Sequence, residues 1–216
     1  MIFMTPHGGH GTVFLSKRIN LRVRPDVVFG IYPIIKLKPD PLCAKQWRGR
    51  SGRKLDPDKT IEENLVDMIT YCNKNKIHVL LSGRCSINNK FLTDNNIEAT
   101  CIIRHPLHAY ISFMKNQHPE YAAPFGGFNS IESVKWWAKI WMNITSDIME
   151  SVIKKDSIVY KFEEMPDSIK DPWLKERLAG WDPSKRNNGI LDPELENTLF
   201  QLVKFHFFYF YKKWDI

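Results

Sequence analysis

No lysine or arginine occurs in this 216-residue chain before Lys17, although the whole carries 31 such residues against 24 aspartates and glutamates, a formal charge of +7. Cysteine is scarce too. Cys43, Cys72, Cys85 and Cys101 are scattered with no CxxC pair, which argues against a zinc site of ordinary spacing and against a disulfide framework. Reduced, partly buried thiols in a cytoplasmic protein are the expectation. No apolar run approaches the ~20 residues that span a bilayer. The most apolar one, "FHFFYFY" at 205–211, is short and abuts Lys212 and Lys213. A basic stretch followed by a long apolar one is missing at the N-terminus, so no secretory signal is expected. Internal repeats and low-complexity linkers are also missing. With 43% hydrophobic and 25% charged residues the composition is ordinary for a globular protein, and one domain spanning 1–216 is expected.

A basic chain of this size suits nucleic acid, an acidic membrane surface or a small polyanion. The charge is spread, and its densest cluster is "KQWRGRSGRK", Lys45–Lys54. Its glycines and serine suit a loop, either simply solvated or a lid touching substrate.

Strand and helix signals alternate. Ile2–Thr5 reads as a strand, followed by a glycine-rich turn and a helix from about Gly11 to Leu21. "DVVFGIYPIIKL" is β-branched, but Pro33 argues against one long central strand. A helix starting at Asp58 or Thr60 would bury Ile61, Leu65, Met68 and Ile69. Ile77–Ser82 and Ile97–Arg104 read as buried strands, with a helix after Pro106. Ser130 or Ser133 offers a cap to a long helix whose apolar stripe is Trp137, Ile140, Trp141, Ile144 and Ile148. Ser157–Phe162 is a further strand. Asp192-Pro193 opens a last helix with Leu195, Leu199, Leu202 and Val203 inward. The alternation predicts an α/β fold, a parallel sheet flanked by helices, with ligands beyond the carboxyl ends of the strands.

Two loops at such ends carry chemistry. In "TPHGGHGTVF", Gly8, Gly9 and Gly11 let a ligand approach the backbone, helix-start amides attract an anion, and Thr12 adds a donor. A plain glycine turn fits the same residues. The Walker pattern GxxxxGK[ST] fails, because no lysine precedes Thr12. In "CIIRHPLHAYISF" a strand delivers Arg104 to the sheet edge, His105-Pro106 turns the chain, and Ser112 follows about two helical turns on. An arginine fork and a serine hydroxyl can grip one phosphate. An arginine paired with a surface carboxylate fits equally well.

Taken together, the two loops give the chain a resemblance to the PAPS-dependent sulfotransferases, P-loop-containing proteins. That family holds the 5′-phosphosulfate in a strand–loop–helix of the form PKSGT or PRSGT, and the 3′-phosphate with an arginine, a proline and a serine eight positions after the arginine. Arg104, Pro106 and Ser112 match the second motif, and Gly11 and Thr12 the end of the first. "IVYKFEEMPDS" is similar to the strand carrying the family's YEDL-type sequence, at Tyr160 to Met165. The resemblance covers about Phe3 to Pro166. It implies transfer of a sulfuryl group from PAPS, as co-substrate, to a hydroxyl or amine of a small-molecule or glycan acceptor, with no metal and no nucleic-acid partner.

On that resemblance, Gly8, Gly9, His10, Gly11 and Thr12 would hold the phosphosulfate, and Arg104 and Ser112 the 3′-phosphate. The loop departs from the family where its lysine or arginine should stand near Gly9, which leaves His7, His10 or Arg84 to supply the catalytic charge. Lys185 and Arg186 in "DPSKRNNGI" would reach the 3′-phosphate, or form a solvated loop. Glu62 and Glu63 could serve as acceptor base, whereas His78 lies at the wrong end of its strand and reads as structural. Acceptor contacts would come from Lys45–Lys54 and Gln117–Asn129. The alternatives are a catalytically silent nucleotide-binding module of the same fold, another P-loop phosphotransferase, and a basic nucleic-acid binder, for which no aromatic-and-basic motif is present.

Overall fold

The computed structural model describes residues 2–6, 27–31, 58–59, 63, 66–67, 70, 74, 79–83, 98–117, 119–153, 157–183 and 189–214. Five strands form one sheet: β1 Ile2–Pro6, β2 Val27–Ile31, β3 Val79–Gly83, β4 Glu98–Ile103 and β5 Ser157–Lys161. Their order is β2-β3-β1-β4-β5 and every pairing is parallel. Each strand is a short run of mostly apolar residues, as a sheet covered on both faces requires.

The two faces are visible in β4. Cys101 packs with Ile144 and Ile148, and Ile103 joins the same side, while Ile102 between them joins Tyr160, Phe162 and Leu174 on the other. That is the alternation of a strand. Helix α1 (Pro106–Tyr110) runs into a π-helical segment, Ile111–Gln117. Helices α2 (Ile131–Ile153) and α4 (Pro193–Phe210) pack against each other, and Thr145 of α2 meets His206 Nδ1 of α4 at 2.9 Å. Helix α3 (Pro172–Leu178) covers the opposite face through Leu174 and Leu178.

Short polar side chains set the helix starts. Ser130 Oγ accepts the Ser133 N–H at 3.1 Å, so Ser130 caps α2. Ser133 is instead buried and donates to the Gly127 carbonyl. Asp171 and Asp192 cap α3 and α4, each followed by proline in the first turn, where its missing N–H costs nothing. Of the helix expected after Asp58, the helical residues Glu63, Val66, Asp67, Thr70 and Lys74 are described, and all but half-buried Asp67 are exposed. Ile61, Leu65, Met68 and Ile69 lie outside the described residues.

One expectation fails. Leu202 does not face inward: it is 39% exposed, while Leu199, Val203 and Phe207 are fully buried. Positions spaced by four define the inner face of α4, and Leu202, a hundred degrees round from Val203, falls outside it. Phe205 and Tyr209 share that outer side.

Candidate functional site

The strand order places the site. Connections leave β1 and β4 toward opposite sides of the sheet, so the gap between these neighbours is a topological switch point, where ligands of open α/β sheets sit. Pro6 pairs with Ile102. The glycine-rich segment therefore leaves β1 next to the point where β4 releases Arg104. On the other side of β1 lies β3, whose last residue, Gly83, precedes Arg84. Three segments singled out in the sequence thus leave three adjacent strands at one edge. His7, Gly8, Gly9, His10, Gly11, Thr12, Arg84, Lys185, Arg186, His78, Glu62 and the Lys45–Lys54 stretch themselves lie outside the described residues. Glu63 is exposed.

Arg104 is more enclosed than a sheet-edge residue, at 2% exposure. Its guanidinium lies 4.5 Å from the centre of the Phe162 ring, an arrangement that stabilises a cation without discharging it. The Arg104–His105 peptide plane is held at both poles. Trp141 Nε1–H donates to the Arg104 carbonyl at 3.2 Å, and the His105 N–H donates to Glu163 Oε1 at 2.8 Å. The second oxygen of Glu163 accepts from the Tyr211 hydroxyl at 3.0 Å. His105 Nε2 meets the Trp214 carbonyl at 3.1 Å, and the His105 ring is surrounded by Phe207, Tyr211 and Trp214 at centroid distances of 5.1, 5.6 and 4.7 Å. The segment after α4 thus folds back onto the Arg104 junction. Ser112 lies second in the π-helical segment and is half-buried. Such segments recur at functional sites. Gly189, three residues beyond Arg186, lies so close to Ile111 that a Cβ there would meet Ile111 Cγ2 at 2.3 Å.

Electrostatics follow from burial. The His105 imidazole is pushed down to about 3, first by desolvation, then by the charges of His108 and Arg104. It is neutral at physiological pH, so Nε2 carries the proton given to Trp214. Desolvation raises the Glu163 carboxyl, while the hydrogen bond from His105, that from Tyr211 and the charge of Arg104 oppose the rise. Burial and the neighbouring Glu163 lift the Tyr211 hydroxyl well above its usual value.

The folded state rejects a proton that unfolded His105 accepts below pH 6.5. Its contribution is therefore intact above pH 6.5 and is lost progressively toward pH 3. Glu163, raised from 4.5, works in the opposite sense, favouring the fold as pH falls toward 4.5. Between pH 6.5 and 5, His105 should cost the native state about 1–2 kcal/mol. Tm measured against pH should fall over that interval, and His105→Phe, which keeps the aromatic packing, should flatten the fall. A variant with an unchanged slope would assign the loss to other groups.

Residues 119–129 include two short 3-10 turns, Pro119–Tyr121 and Ala123–Phe125, followed by Gly126 and Gly127 at φ of 87° and 96°. Ser130, Ser133 and Tyr110 donate to the carbonyls of Phe125, Gly127 and Phe128, which ties this loop to the start of α2 and to α1. Among the described residues no group of three or more His, Cys, Asp or Glu is placed to hold a metal ion, and no helix is long and apolar enough to cross a membrane.

Glu163, Tyr211, Trp214 and the indole N–H of Trp141 surround the Arg104–His105 junction without having been singled out in the sequence as candidate site residues. Trp141 reads as part of a core stripe, and Tyr211 and Trp214 as the end of an aromatic run. A carboxylate ending the strand of "IVYKFEEM" was the available signal for Glu163.

No protein-family model matches the chain, and no curated protein matches it in sequence. Solved structures do resemble it. The sulfotransferase domain of the Synechococcus PCC 7002 olefin synthase aligns with 95% of this chain and 93% of its own, at 14% identity and a TM-score of 0.51. Mouse sulfotransferase SULT7A1, solved as a complex with PAP, aligns with 95% of this chain and 84% of its own at 12% identity and a TM-score of 0.48. A sulfotransferase from Alicyclobacillus acidocaldarius gives 95% and 91%, at 11% identity and a TM-score of 0.46. With its parallel sheet flanked by helices, the chain is a divergent member of the sulfotransferase fold.

Proposed function

We propose that this chain binds PAPS at the β1–β4 edge and transfers its sulfuryl group to a hydroxyl or amine acceptor, as a single domain working in the cytoplasm. The observation that carries this reading is the emergence of Arg104 from the strand adjacent to β1, with Ser112 in the π-helical segment that follows α1, at the switch point of a sulfotransferase-like sheet. Arg104 and Ser112, helped by Lys185 and Arg186, hold the 3′-phosphate. Backbone amides of Gly8, Gly9, His10 and Gly11, with the Thr12 hydroxyl, cradle the 5′-phosphosulfate.

In the transfer step the acceptor oxygen or nitrogen forms a bond to sulfur as the bond from sulfur to the 5′-phosphate oxygen breaks. The electron pair leaves with that phosphate, and a base takes the acceptor proton. His7, His10 or Arg84 stabilises the charge growing on the leaving phosphate, and the rest of the rate comes from in-line placement. The loop between α1 and α2 contributes to a pocket for a small-molecule or glycan acceptor.

A second reading, a nucleotide-binding module without turnover, is favoured by the absence of any lysine or arginine before Lys17. A histidine is a weaker permanent cation at neutral pH.

Adenosine 3′,5′-bisphosphate at a hundred times its Kd should raise Tm by about 5–10 °C. ATP and a short oligonucleotide should not. Stabilisation by ATP alone would sink the proposal in favour of a phosphotransferase. Labelled PAPS offered with acceptor pools separates the first two readings: label on an acceptor marks the enzyme, and a thermal shift without transfer marks the silent module.

A further inference from the structure

Seven large hydrophobic residues are exposed among the described residues, and four of them share one side of α4: Leu202, Phe205, Phe208 and Tyr209. Steps of three and four residues place them one above another over about two turns. Phe205 is 81% exposed and Phe208 53%. The opposite side of the helix, with Leu199, Val203 and Phe207, already meets the core, so core packing does not account for the outer rings. Single exposed apolar side chains are ordinary, whereas a contiguous group marks an interaction surface.

The charge around this group has one sign. Lys204, Lys212 and Lys213 lie beside it, and no aspartate or glutamate occurs between Asn197 and Trp214. The Lys204 ammonium lies 5.6 Å from the centre of the Phe205 ring, and Lys212 and Lys213 are exposed. The acids of α4, Glu194 and Glu196, stand in its first turn, and Glu196 accepts from the Trp214 indole. Near the other end, Glu163 accepts from the His105 N–H and the Tyr211 hydroxyl, and Glu164 pairs with Lys161 at 2.8 Å.

This pattern selects the occupant. Two copies meeting through the same face would bring their lysines together, with no carboxylate in 197–214 to pair them. An anionic bilayer surface complements both features. Aromatic rings enter the boundary between headgroups and acyl chains, while lysine stems follow them and leave the ammonium among the headgroups. Since α4 is not long and apolar enough to cross a membrane, it would lie along the surface.

We propose that the outer face of α4 docks the chain on an anionic lipid surface, with Phe205 and Phe208 entering the interface and Lys204, Lys212 and Lys213 among the headgroups. The proposal stands independently of the nucleotide reading above.

The test is cosedimentation of the full chain with vesicles of phosphatidylcholine, alone or with roughly a third phosphatidylserine. The mixed vesicles should bind the chain and the neutral ones should bind it at least tenfold more weakly. Phe205→Ser combined with Phe208→Ser should lower the partition coefficient about tenfold, and so should Lys212→Gln combined with Lys213→Gln. Lys139→Gln combined with Lys170→Gln makes the same charge change on exposed residues outside α4 and should leave binding unchanged. Every replaced side chain is exposed, so the fold is retained, and circular dichroism with Tm checks this.

A chain that ignores the mixed vesicles overturns the proposal. So does a folded serine pair that binds as well as the unmodified chain, which marks adsorption by net charge alone, and so does an equal loss in the Lys139 and Lys170 control. Sedimentation equilibrium without lipid covers the other occupant: a dimer that the serine pair dissociates would assign the face to a second copy and overturn the lipid assignment.

Discussion

Arg104→Ala should abolish the thermal shift produced by adenosine 3′,5′-bisphosphate. A guanidinium presents two parallel N–H groups to a phosphate, and charge-assisted hydrogen bonds of this kind contribute about 1.5–3 kcal/mol each, so losing the fork should weaken binding ~100-fold or more. The substitution also removes a buried cation from the face of Phe162, and the ligand-free Tm should fall. The shift must therefore be read against the variant's own baseline. His78→Ala is the control. His78 precedes β3 at its amino end, away from the edge where Arg104 emerges, and the shift should survive there. A full shift in Arg104→Ala would remove the 3′-phosphate assignment.

The largest effect on stability is expected at Trp141. Its side chain is fully buried, and replacing a buried tryptophan with alanine costs about 3–5 kcal/mol. Trp137, one turn earlier on α2, is equally buried and stacks on Phe113 at 5.0 Å, so its alanine variant should lose about as much. Phenylalanine separates the pair. Trp141→Phe leaves the Arg104 carbonyl without its indole donor and should cost about 1–3 kcal/mol beyond the lost ring volume. The Trp137 indole N–H has no acceptor among the described residues, so Trp137→Phe should carry no such added loss. Denaturant unfolding of the four variants measures the difference. Equal losses in the two phenylalanine variants would mean that the Trp141 hydrogen bond contributes nothing measurable.

Local chemistry made the strands and helix starts readable. "VVFGI", "VLLSG" and "SIVYK" are short and largely apolar, and the Asp-Pro pair at 192–193 sits at a helix start, whereas the shorter helix after Asp171-Pro172 was not expected. The parallel sheet follows from the same alternation. The adjacency of β1 and β4 does not, because nothing in either five- or six-residue strand names a partner almost a hundred positions away. The site divides in the same way. Arg104 and Ser112 can be proposed from the sequence because the motif is contiguous. Glu163 and Tyr211 reach the same peptide only through tertiary packing, 58 positions separating His105 from Glu163 and 48 separating Glu163 from Tyr211. Leu202 was misread for a related reason: Leu202 and Val203 are neighbours in sequence, and only contact with α2 decides which of them α4 turns inward.

The central place of β1 has a consequence for how the chain is made. Ile2 pairs with Val79 on one side and Glu98 on the other. During synthesis the middle strand of the sheet emerges first and then waits for partners encoded roughly 75 and 95 residues later, about 4–20 seconds at ordinary elongation rates. Both of its hydrogen-bonding edges stay open through that interval, and closing such distant pairs is intrinsically slow. Slowed elongation between β1 and β3 should lengthen this exposure and favour aggregation of the nascent chain over folding.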